Sequence, residues 1–168
     1  MLALAAIALP VAASGAIVTV ERSRHLWTTV NFCDPETPPE GIGPNTIGIR
    51  ASMPGSRDGR EIMYMRFRLQ FFKDADMKWH NVTSGLSDSG WTRVGFARYK
   101  ARQGGRYFFN VVPPPGKTTV LLRGKVNFEW RLRGEVVRKA SKLTTKGHNS
   151  SAGSFPAGHS EATCTITT

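Results

Sequence analysis

The 168-residue chain is most informative in what it lacks. Nowhere do apolar residues recur at i, i+3, i+4 and i+7 over three turns, so no amphipathic helix organises the fold. Beyond residue 16 no apolar run approaches the roughly 20 residues that a membrane-spanning helix requires. Cysteine is confined to Cys33 and Cys164. With no C-x-x-C spacing a metal pair is disfavoured, leaving one structural disulfide or two free thiols. The four histidines, His25, His80, His148 and His159, form neither H-E-x-x-H nor H-x-H, so the sequence signals no metal site. Gly85–Gly90 has one residue too many for a G-x-S-x-G nucleophile elbow, and no glycine-rich loop opens a helix. Asp74 and Asp76 are spaced as a D-x-D pair, but within a turn such a pair is ordinary turn chemistry. The expectation is therefore no catalytic residue, no metal and no cofactor.

Acidic residues are also scarce. There are 12 Asp and Glu against 23 Lys and Arg, for a net charge of +11. That imbalance predicts attraction to anionic partners, be they nucleic acid, acidic envelope polymers or membrane surfaces, and says nothing about fold. The bland alternative is that the charge only keeps the protein dispersed.

What is present is strand pattern. In Met63–Phe72, Met63, Met65, Phe67, Leu69 and Phe71 fall on one side of an extended chain, and Tyr64, Arg66, Arg68 and Gln70 on the other. Such a strand is stable only when other strands cover its apolar face. Further strands are predicted over Leu26–Cys33, Thr46–Met53, Met77–Val82, Trp91–Tyr99, Tyr107–Val112, Thr118–Leu132, Glu135–Thr144 and Ser160–Ile166. Glycine and proline separate almost all of them, with Arg102–Arg106 reading as a basic turn and Lys146–Gly158 as a polar, mobile loop. A two-residue turn at Arg133-Gly134 would set Glu129 opposite Arg138 and Trp130 opposite Val137. The expected fold is an all-β antiparallel sandwich of about eight or nine strands.

At the N-terminus, Met1–Ala16 is apolar and ends in small residues, with Ser14 and Ala16 at signal-peptidase spacing. It reads as a signal peptide, followed by a linker over residues 17–25 and one domain over 26–168. In an exported chain the two cysteines are expected to pair. A bridge between positions so near the two ends would stabilise the domain by about 5 kcal/mol in the chain-entropy model.

Met63–Phe72, its turn, and Lys78-Trp79-His80-Asn81-Val82 resemble the central strand pair of fibronectin type III domains. Val126-x-Phe128-x-Trp130 with the late Cys164 resembles the immunoglobulin pattern, although no cysteine precedes the tryptophan at that pattern's spacing. The chain as a whole is similar to secreted bacterial proteins of unassigned function. The resemblance implies an Ig-like or fibronectin-like sandwich and carries no activity.

Function then rests on surface chemistry. Candidate binding residues are Arg66, Arg68, Arg98, Arg102, Arg106, Lys125, Arg131 and Arg138, with Lys100, Arg123, Arg133 and Lys142 beside them, merging into one cationic sheet face. Arginine suits carboxylate, sulfate and phosphate because its fork donates two parallel hydrogen bonds. The expected protein is secreted, extracellular or at the cell surface, and non-enzymatic, engaging an anionic polymer or an extracellular protein. Nucleic acid is disfavoured by export. The alternative is a secreted carbohydrate-binding module using Trp79, Trp91 and Tyr64, or a hydrolase with two carboxylates in a cleft.

Overall fold

The computed structural model of the chain describes residues 16–20, 23–34, 39–83, 85, 87–98, 102–148 and 153–167. The expected signal segment up to residue 15, and Lys100 of the basic cluster, lie outside the described residues. Among the described residues there is no helix. Ten strands follow in order: β1 Val18–Thr19, β2 Trp27–Cys33, β3 Thr46–Pro54, β4 Glu61–Lys73, β5 Lys78–Asn81, β6 Thr92–Phe96, β7 Arg102–Asn110, β8 Thr119–Leu132, β9 Glu135–Leu143 and β10 Cys164–Thr167.

They form two sheets. The larger has the order β1-β9-β8-β4-β5, with β6 also pairing with β4 and β10 with β8; the smaller is β2-β3-β7. All pairings are antiparallel except the short parallel contact of β1 with β9.

Period-two burial decides which residues meet. Met63, Met65, Phe67 and Leu69 of β4 and Leu122, Val126, Phe128 and Trp130 of β8 form the inner face of the larger sheet. Val30, Ile47, Ile49, Ala51, Met53 and Phe109 form that of the smaller. All are at most 2% exposed. Burial of each Val, Leu, Ile, Phe or Met side chain among them contributes about 1.5–3 kcal/mol. The one polar atom of Trp130 is satisfied, since its indole N–H donates to the Pro54 carbonyl at 3.0 Å. Gly124 leaves room for no side chain between the sheets: a Cβ there would stand 2.5 Å from Ile49 Cδ1 of the facing sheet and 2.8 Å from Thr144 Cγ2 beside it. The expected disulfide is present, joining Cys33 on β2 to Cys164 on β10 and so tying one sheet to the other.

Two sequence expectations are corrected. The β8–β9 hairpin has its two-residue turn, but a bulge adds Val137 between Arg131↔Val136 and Trp130↔Arg138. One extra residue reverses the faces of everything beyond it. Lys139, not Arg138, therefore faces Glu129. Arg102–Arg106 is strand rather than turn: β7 begins at Arg102 and pairs with β3 from Arg102↔Pro54 to Asn110↔Thr46. Its two glycines serve close approach. A Cβ on Gly105 would stand 2.8 Å from Met65 Sδ, and one on Gly104 would stand 3.2 Å from Arg50 Nη2. The segments flanking the expected loop, and Phe155 within it, lie along β2. Thr145 N–H donates to Thr28 O (2.9 Å), Phe155 N–H to Asn31 O (3.0 Å), and Glu161 bridges Val30.

Candidate functional site

The outer faces of the two sheets differ in electrostatic character. On the larger sheet, β4 and β8 bring Arg66, Arg68, Arg123, Lys125 and Arg131 together as the alternation requires. Most of these cations are already engaged. Arg66 grips Asp88 through a two-pronged ion pair, with Nη2 2.6 Å from Oδ2. Hydrogen bonding from Arg66 holds the Asp88 carboxyl below its usual range. Arg68 donates to Asn127 Oδ1 at 3.0 Å, and Arg131 pairs with Glu129 at 2.6 Å. Arg123 donates to Gln70 Oε1 at 2.8 Å.

The aromatic rings on this face are also engaged. Arg131 lies over Tyr64 (4.4 Å) and Trp91 (5.1 Å), and Arg123 over Trp79 (4.2 Å). A guanidinium on a ring takes up the flat surface that a sugar would use. Lys125 stands opposite Arg68 with no ion-pair partner among the described residues. Arg138 is on the inner side of β9 instead, 3.3 Å from Glu61, which is 4% exposed.

The outer face of the smaller sheet is different. In the β3–β7 register Arg50 stands directly opposite Arg106, and Arg102 lies on the same face two residues beyond Gly104. Like charges directly opposite one another destabilise a sheet unless something compensates them. No ion pair among the described residues involves any of the three. Arg106 is braced by its hydrogen bond to the Gly153 carbonyl (2.9 Å) and lies over Phe108 at 4.7 Å, leaving its charge uncompensated. Arg50 is half-buried, and burial, then the charges of Arg106 and Arg102, lowers its affinity for its proton. Arg102 and Arg106 are exposed.

Ser52 lies opposite Gly104, and its buried hydroxyl has no hydrogen-bond partner among the described residues. Beyond this end of the sheet, Arg57 and Arg98 are exposed and likewise lack an ion-pair partner among the described residues.

No group of three His, Cys, Asp or Glu side chains placed to hold a metal occurs among the described residues. A groove of about 400 Å³ is lined by Pro44, Asn45 and Asn110–Lys117, with Lys117 its one ionisable side chain. No described helix is long and apolar enough to cross a membrane.

The structure thus distributes the eight sequence candidates over several places. Arg66, Arg68, Lys125 and Arg131 share one face, Arg102 and Arg106 another, Arg138 turns inward, and Arg98 sits past the end of β6. Sequence reasoning missed Arg50. Its signal was the strand alternation itself, which places Arg50 outward between Ile49 and Ala51.

Comparison of the chain with protein-family models, curated proteins and solved structures found no match.

Proposed function

We propose that the chain is a secreted, non-catalytic β-sandwich module of Ig-like or fibronectin-like kind that binds an anionic extracellular or cell-surface partner. The carrying observation is the trio Arg50, Arg102 and Arg106, three guanidinium groups on one sheet face with no carboxylate partner among the described residues. Folding has placed like charges together with no carboxylate among the described residues to offset their repulsion, and an external anion would remove it. Export is supported by the apolar Met1–Ala16 and by the disulfide, which persists in oxidising compartments. The non-catalytic reading is supported by the carboxylates. Asp58, Glu61, Asp88 and Glu129 are each committed to an arginine rather than converging on a cleft.

Chromatography on sulfated and carboxylated resins tests this. The protein should elute at higher salt than an inert protein of matched charge. Arg50→Gln/Arg102→Gln/Arg106→Gln should return elution to that of a protein of the new net charge. Elution of the unaltered protein alongside its charge-matched control would remove the proposal.

A further inference from the structure

The three guanidinium groups are not a random cluster, because the backbone spaces them. Arg102, Gly104 and Arg106 are alternate residues of β7 and share one face. Same-face positions on a strand recur about every 6.7 Å. The middle position has no side chain of its own. The Arg50 guanidinium reaches across the ladder into that space, with Nη2 3.2 Å from where a Gly104 Cβ would stand. The result is a row in the order Arg102–Arg50–Arg106, anchored at strand positions 102, 104 and 106 that span about 13 Å. The buried, unpartnered Ser52 hydroxyl lies at the level of its middle member.

Resting on the anion-binding function proposed above, we infer that this row is a linear binding track for one extended strand of acidic polysaccharide, with one acidic group of the polymer at each arginine. The neighbouring rings decide between polymers. Single-stranded nucleic acid needs open aromatic faces beside the cationic track on which to stack its bases. Here Trp27 is stacked on His148 at 4.6 Å, Phe108 is covered by Arg106, and Phe32 packs against Phe108 (5.4 Å) and Phe155 (6.0 Å). A polysaccharide carrying sulfate esters or uronate carboxylates needs only the guanidinium forks. Gly104 is required because a side chain at that position would displace Arg50 from its place between Arg102 and Arg106.

The test is titration of the full chain with size-defined sulfated oligosaccharides, from disaccharide to octasaccharide, and with desulfated uronate counterparts of the same lengths. Affinity should rise with length until the fragment covers three arginines and then level off. Arg50→Gln and Gly104→Val should each weaken the longer fragments about tenfold or more, the loss of a charge-assisted hydrogen bond, and barely affect the disaccharide. Arg102→Gln, at an exposed position, keeps the test open should the half-buried Arg50 variant fold poorly; it should shorten the length at which affinity levels off. Length-dependent binding of either series supports the track, and the tighter series names the anion. Polyanion binding that is insensitive to both length and Arg50 overturns the track while leaving the broader function standing. Oligothymidylate binding as tightly as the sulfated octasaccharide overturns the polysaccharide assignment. Failure of every polyanion to bind overturns the broader function as well.

Discussion

Reduction of the Cys33–Cys164 bond should be the most damaging single chemical change to this fold. The two cysteines are 131 residues apart, so their bond closes most of the domain into one loop. In the chain-entropy account, opening a loop of that length returns about 5 kcal/mol of freedom to the unfolded chain. Domains are typically stable by about 5–15 kcal/mol, so this is a third or more of the total. At roughly 2–4 °C per kcal/mol for a chain of this size, melting should fall by about 10–20 °C. Urea titration of the oxidised protein, the reduced protein and Cys33→Ala/Cys164→Ala separates the contributions. Reduction keeps both sulfur atoms in place, whereas the double substitution also empties space in the core, because Cys164 is only 2% exposed. The difference between the reduced protein and the double variant thus measures packing, and the difference between oxidised and reduced measures loop closure. The urea dependence should also steepen on reduction, because the freed chain exposes more surface when it unfolds. A reduced protein within about 1 kcal/mol of the oxidised one, far below the loop-closure value, would refute the reasoning. It would mean that the apolar interface alone holds the two sheets together.

Other outcomes follow from the same structure. Gly124→Ala should destabilise by about 1–3 kcal/mol, because its new methyl group collides with Ile49 across the sheets and with Thr144 beside it; thermal melts check this. Trp130→Phe should lose a similar amount, since it removes core volume and leaves the Pro54 carbonyl without its indole donor, and the urea midpoint reports it. Asp88→Asn should cost under about 1 kcal/mol at neutral pH, because this pair is a third exposed, side chains of Arg66 and Asp88 being 36% and 33% accessible. The Asp88 carboxyl is held below its usual range, so its contribution is present above the unfolded value near 3.9 and is lost as pH falls through the folded one. The Asp88→Asn stability profile should be flatter there. His148 has the opposite charge but the same sign of pH effect. Burial against Trp27 lowers its affinity for a proton, so its contribution is complete above about 6.5, the unfolded value, and is lost as pH falls through the folded one. His148→Phe, which keeps a ring on Trp27, should remove that loss in urea titrations between pH 7.5 and 5.

How much of this was legible in the sequence depends on what each residue signals locally. The alternation of Met63, Met65, Phe67 and Leu69 with Tyr64, Arg66 and Arg68 is a period-two pattern that no helix can satisfy, so β4 and its inner face were readable at once. Cys33 and Cys164 were readable as a pair because nothing else in the chain offered either a partner. The register of β8 with β9 was not, because a bulge leaves no mark distinguishing Val136-Val137 from two ordinary strand residues; Arg138 therefore turned inward toward Glu61. The candidate site was hidden by a similar ambiguity. Gly104-Gly105 carries the local signal of a turn, and only the assembled fold shows that these glycines make room for Met65 of the opposite sheet beneath and for Arg50 of the neighbouring strand above. The spacing of arginines along the chain locates the cationic strands but does not show which of their charges the fold pairs. Asp88, Glu129, Asn127 and Gln70 are distant in sequence from the arginines they satisfy, except Glu129 beside Arg131, and folding alone brings them there. Charge density in a sequence therefore does not mark a binding surface. The mark is charge that the fold leaves uncompensated: alternation places Arg50 outward between Ile49 and Ala51, but only the fold sets Arg106 opposite it with no carboxylate partner among the described residues.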